Sequence, residues 1–172
     1  MPAELGKIEL APGRDLVMLE RQFAVQDLNA RYAEAIDDDR LEEWPEFFRP
    51  DGRYHITTAE NLAQGFPIGI VSATSRAMLR DRIKALRQAN VYEAQRYRHV
   101  IGAPLIEAEE GSTVRTQTSF IVARIMHTGE TTLFATGCYR DHVVFVDGAA
   151  RFAEKTVILD SRLIDTLLAI PL

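Results

Sequence analysis

A single cysteine, Cys138, stands in the 172 residues, so the chain cannot close an internal disulfide, and one free thiol fits a reducing cytosol. Basic charge is also scarce: 20 Lys and Arg against 25 Asp and Glu give a formal net charge of −5. Surfaces that neutralise phosphates carry a clustered basic excess, so DNA and RNA are not expected partners. Long apolar runs are missing as well. Nothing approaches the roughly 18 consecutive apolar residues of a membrane span. Residues 1–14 carry Glu4, Lys7, Glu9 and Arg14 where a secretory signal needs an apolar stretch. A cytoplasmic chain is the expectation. Gly-x-Gly-x-x-Gly, Gly-x-x-x-x-Gly-Lys-Ser/Thr and Gly-x-Ser-x-Gly are all absent. The signals for dinucleotide, nucleoside-triphosphate and serine-hydrolase chemistry go with them.

What is there is ordinary globular composition, 47% hydrophobic and 26% charged, which predicts one well-packed core. Pro2, Gly6, Pro12 and Gly13 mark residues 1–14 as an irregular arm, followed by a single domain over 15–172. From Asp15, the spacing of Leu16, Leu19, Phe23, Leu28, Tyr32 and Ile36 predicts a helix with these residues on its core-facing stripe, ended by Asp37-Asp38-Asp39. Asp39 with Glu42 reads as a capping pair for a short second helix bearing Leu41, Trp44, Phe47 and Phe48. Pro50-Asp51-Gly52 is turn chemistry, and Arg53 to Thr58 has the composition of a first strand. Asn61 to Gly69 reads as a loop, and Ser72 to Ala89 as a third helix capped by Ser72 or Ser75.

After Tyr97 the chain reads as strands. Val114–His127 and Thr131–Val146 alternate around Thr128-Gly129-Glu130, and Asp147-Gly148 leads into Arg151–Asp160. Consecutive antiparallel strands after a cluster of helices mean α+β. A curved antiparallel sheet with N-terminal helices packed on its concave face is the NTF2-like (cystatin-like) cone, and the element order fits it.

A Rieske cluster takes two Cys and two His, so this chain cannot hold one by itself. A mononuclear iron site takes two His and a carboxylate, and His55, His99, His127 and His142 are spread through predicted strands with no close pair. Cys138 sits in an alternating strand, where a cysteine is usually a small core hydrophobe. One acid–base set survives: Asp37, His55, His99, Tyr32 and Tyr54 come from elements able to line a cone, where desolvation tunes an imidazole or carboxylate. Packing roles are the simpler account of the same residues. Arg76, Arg80, Arg82, Lys84, Arg87, Arg96 and Arg98 concentrate positive charge between residues 76 and 98. Such a run either faces an acidic partner or is a solvated helix face.

Specific strings then narrow the reading. Tyr139-Arg140-Asp141-His142-Val143-Val144-Phe145-Val146-Asp147-Gly148 followed by Lys155-Thr156-Val157-Ile158-Leu159-Asp160 resembles the C-terminal signature of the small (β) subunits of aromatic-ring-hydroxylating dioxygenases. Tyr54 to Leu62, Ser75 to Ile83 and Arg98-His99-Val100-Ile101 agree with that family in order and spacing. The resemblance implies a non-catalytic chain with no cofactor of its own. It would be a trimeric platform for aromatic catabolism, commonly in an α3β3 assembly whose α subunits hold the Rieske cluster and the non-haem iron, with electrons from a separate NADH-dependent reductase. Arg76, Arg80, Arg82, Arg98 and His99 become candidate contacts to the α subunit. The nearest subfamily acts on aromatic carboxylates. Gly102-Ala103-Pro104, and Ala149-Ala150-Arg151-Phe152 without the usual tryptophan, depart from the pattern. The alternatives are a stand-alone NTF2-like dehydratase or isomerase using Asp37 with His99 or His55, and a ligand-binding cone without catalysis.

Overall fold

The computed structural model describes residues 16–66, 69–88, 93–163 and 168–172. The arm expected over residues 1–14 lies outside the described residues. Helix α1 (Leu16–Asp37) buries Val25, Leu28, Asn29, Tyr32, Ala33 and Ile36. Its first turns depart from the expected core stripe, since Leu16 and Phe23 are 73% and 69% exposed. Full burial along the helix begins only at Val25. No capping pair forms at Asp39 and Glu42. Asp39 takes a left-handed φ of 57°, and both carboxylates hold Arg87 instead, at 2.9 and 2.8 Å. The expected second helix is a 3-10 turn, Trp44–Phe47, with Pro45 near its start. Proline presets φ and lacks the N–H, which suits the opening of a short tight turn.

Strand β1 (Phe48–Thr58) begins before Pro50-Asp51-Gly52, which was expected to precede it. The turn chemistry survives as an excursion inside the strand: the register against β7 (Ala149–Leu159) jumps from Phe48↔Phe152 to Arg53↔Glu154. A Cβ on Gly52 would sit 2.9 Å from both the Arg49 carbonyl and the Phe48 Cβ, so the fold there takes only glycine. The expected loop opens with helix α2 (Ala59–Ala63), N-capped by the Thr58 hydroxyl, which accepts the Asn61 N–H at 3.1 Å. Ser72 is not a cap but lies in strand β2 (Val71–Ala73). Ser75 precedes α3 (Arg76–Gln88) and accepts the Met78 N–H at 3.3 Å.

The remaining strands are β3 (Gln95–Ile101), β4 (Leu105–Glu110), β5 (Thr113–Met126) and β6 (Thr131–Val146). The β5–β6 and β6–β7 hairpins turn where the alternation predicts. Gly102-Ala103-Pro104 separates β3 from β4, so β5 pairs with β4 along Thr113–Gln117 and with β3 along Phe120–Met126. The seven-stranded sheet runs β2-β1-β7-β6-β5-β3, with β4 also on β5. Every pairing is antiparallel except β1 with β7, which is parallel, so the sheet is mixed where a purely antiparallel one was expected. Alternation says which face of a strand is buried but not which neighbour its edge recruits. Helix α1 packs on β3 and β7, and α3 on β1, giving the NTF2-like α+β architecture with its core between helices and sheet.

Candidate functional site

Alternation turns Tyr139, Asp141 and Val143 of β6 inward, opposite Val157, Lys155 and Phe152 of β7. The Lys155 ammonium is fully buried, 2.9 Å from Asp141 Oδ2 and 3.1 Å from Asn29 Oδ1 of α1. It also lies 3.7, 4.4 and 4.7 Å from the ring centroids of Tyr139, Phe152 and Tyr32. Ring faces and hydrogen bonds are what a buried cation needs to offset lost hydration. Burial pushes the Asp141 carboxyl up and the Lys155 amine down, and the opposite charge of each draws the other back. Neither residue stood out as a site in the sequence. The available signal was phase: a lysine and an aspartate both occupy inward positions of neighbouring alternating strands.

The acid–base set is brought together only in part. Asp37, at the end of α1, accepts the His99 backbone N–H at 2.9 Å, and its other carboxylate oxygen lies 2.6 Å from His99 Nδ1. The His99 side chain has no exposed surface, and its Nε2 is buried without a hydrogen-bond partner. Tyr32 and Tyr54 both donate to one acceptor, the Leu172 main-chain oxygen, at 2.5 and 3.1 Å. Burial raises both phenols, that of Tyr54 to about 12. His55 neighbours Tyr54 on β1, so its side chain leaves by the opposite face of the sheet. It takes no part in the interior. Residues 168–172 close the inner end of the cone: Leu168, Ala169, Ile170 and Leu172 are all at most 6% exposed. What the interior can do chemically is therefore limited. Its polar groups are internally spoken for or sealed from solvent.

The basic residues serve mostly within the chain. Arg76 bonds Glu46 and the Phe48 carbonyl, Arg80 bonds Glu46 at 2.6 Å, and Arg82 donates to the Leu168 carbonyl at 2.7 Å. Arg98 lies 3.7 Å from Asp37 with its side chain 58% exposed. Sealed inside, His99 offers no surface to a partner, and Arg98 beside it does. Among the described residues no group of three or more His, Cys, Asp or Glu side chains is placed to hold a metal ion, and no helix is long and apolar enough to cross a membrane.

Residues 17–156 match the SnoaL-like domain family. The β1 subunit of the terminal oxygenase component of terephthalate 1,2-dioxygenase from a Comamonas species is 46% identical over 151 residues, spanning 88% of this chain and 98% of that one. The small subunit of anthranilate 1,2-dioxygenase from Burkholderia cepacia is 39% identical over 150 residues, covering 87% of this chain and 93% of its own. The chain belongs to the small (β) subunits of aromatic-ring-hydroxylating dioxygenases. Among solved structures, a β subunit ascribed to such a dioxygenase in Novosphingobium aromaticivorans superposes with a TM-score of 0.84 at 38% identity, over 91% of this chain and 99% of that one. The benzoate 1,2-dioxygenase β subunit of Burkholderia mallei shares the fold, with a TM-score of 0.69 at 19% identity over 91% and 97% of the two chains. In this β subunit the stretch from Tyr139 to Asp160 carries the buried Asp141–Lys155 pair. Membership favours the oxygenase-subunit reading over the stand-alone dehydratase.

Proposed function

We propose that this β subunit is the non-catalytic platform of a ring-hydroxylating dioxygenase, assembled as α3β3 around a β trimer in the cytoplasm. The observation that carries the reading is the match at 46% identity over 88% of this chain with a terminal-oxygenase β subunit, in a chain whose interior is packed shut by Trp44, Tyr32, Tyr54, Tyr139 and residues 168–172. The Rieske cluster and non-haem iron belong to the α subunit on this reading, since one cysteine cannot supply the cluster's thiolates. Relatives are named for terephthalate and anthranilate, both aromatic carboxylates. An aromatic carboxylate is accordingly the inferred substrate of the whole assembly, bound in the other polypeptide.

Surface chemistry supports a partner on the outer face of the sheet. Val100 and Ile121 sit directly opposite each other across β3 and β5, and with Leu133 of β6 are 62%, 45% and 67% exposed. Arg98 lies on the same face with its side chain 58% exposed. Apolar ground bordered by arginine is what subunit interfaces favour. Burying it makes the stability of the α subunit depend on this chain. Co-expression of the tagged chain with the α subunit encoded beside it tests the proposal. Co-purification in equal amounts is expected, and two polypeptides that elute separately at all ratios would refute it.

A further inference from the structure

We propose that Asp37 is the positioning residue of the partner-facing strand β3, a role that rests on the platform reading above. Strand β3 ends the strand order, so among the described residues no strand lies beyond it. An edge strand supported by a ladder on one side only is prone to open locally or to recruit a foreign strand. Asp37 stands where the missing neighbour would. Its Oδ2 accepts the His99 backbone N–H at 2.9 Å, the bond that a carbonyl of a further strand would otherwise make. Its Oδ1 lies 2.6 Å from Nδ1 of the same residue, and Arg98 Nη1 is 3.7 Å from the carboxylate. One carboxylate from the end of α1 holds two successive residues of the strand.

Position along the strand gives the contact its purpose. His99 stands between Arg98 and Val100, both exposed and both on the outer face offered to the α subunit. Fixing the residue between them fixes the backbone from which both project, and a contact surface held in its bound geometry loses less freedom on association. Local energetics give an acid here no other reason to be buried. The C-terminal end of a helix is the negative end of its dipole, which disfavours a carboxylate. Asp38 and Asp39, the next two residues, are exposed, whereas Asp37 is buried. The interior makes no use of the pair either. His99 Nε2 is buried without a hydrogen-bond partner, so among the described residues the polar contact of this imidazole is Asp37. What resembles an acid–base dyad is a clamp on the edge strand.

Titration of the full chain with the α subunit encoded beside it tests the role. Asp37→Ala should weaken the complex by at least about tenfold, whereas Asp37→Asn, whose amide oxygen still accepts the His99 N–H, should stay within about threefold. Hydrogen exchange separates positioning from a general loss of structure. In Asp37→Ala the His99 amide should exchange at least about a hundredfold faster while the amides of β6 keep their rates. Equal affinities of folded Asp37→Ala and the unaltered chain overturn the role, and so does equal weakening in Asp37→Ala and Asp37→Asn. Should Asp37→Ala fail to fold, the unaltered chain decides. A His99 amide that exchanges within about tenfold of those of β6 supports the clamp, and a faster one overturns it. An unaltered chain that forms no complex overturns the platform reading and this role together; a complex that Asp37→Ala leaves intact overturns this role alone.

Discussion

Lys155 and Asp141 form a charged pair inside an aromatic core. Neither is tolerable alone, because truncating one leaves a fully buried, uncompensated charge. Lys155→Met and Asp141→Leu should each destabilise the chain by about 3–5 kcal/mol, and the double variant, with no charge left to bury, should recover most of the loss. Urea unfolding of the four proteins measures this cycle, and additive losses would show that the pair is not coupled. The tyrosines set the alkaline limit. Burial raises the phenols of Tyr32, Tyr54 and Tyr139 above the unfolded value near 10, that of Tyr54 to about 12. A raised folded pKa contributes stability that is complete below about pH 10 and is lost as pH climbs through the folded value, because the unfolded chain releases these protons first. The melting temperature should therefore fall as pH rises from about 10 to 12, less steeply in Tyr54→Phe, with phenolate absorbance appearing together with unfolding.

Elements were legible where a periodicity runs long enough to outvote local chemistry. The β5–β6 hairpin and the β6–β7 turn follow from alternation and stand where the sequence puts them, and helical spacing gives α3, which starts four residues later than expected because Val71–Ala73 pairs as a strand. Short elements were not. Pro50-Asp51-Gly52 has the residues of a strand-ending turn yet lies inside β1, because Phe48 and Tyr54 are both drawn into the core on either side of it. The parallel β1–β7 pairing had no local signal, since it joins residues about a hundred positions apart. In the site, Asp37 with His99 and Tyr32 with Tyr54 were legible as candidates, but their closure by residues 168–172 was not, because it depends on where a distant segment docks. Gly137 of β6 carries a consequence at this scale: a Cβ there would lie 2.0 Å from the Ile158 carbonyl of β7. Gly137→Ala must push two central strands apart and should cost about 1–3 kcal/mol or more, measured as a drop in the urea midpoint. A neutral result would mean that the strands part without strain.

At the scale of the whole molecule, the fold serves two masters. The inner face of the sheet is used up by its own aromatic core, while the outer face keeps Val100, Ile121, Leu133 and Arg98 in solvent. Stability and assembly should therefore separate under mutation. Leu133→Asp removes no buried contact and should cost no more than about 1 kcal/mol of folding stability, yet weaken association with the α subunit by at least about tenfold. Matched unfolding curves and binding titrations separate the two effects. The most direct test of the platform role is aromatic turnover by the α subunit and reductase, with an aromatic carboxylate as substrate, assayed with and without this chain. The account predicts that product forms only when α subunit and this chain are both present and that the chain alone forms none; product from the chain without its partner would contradict it.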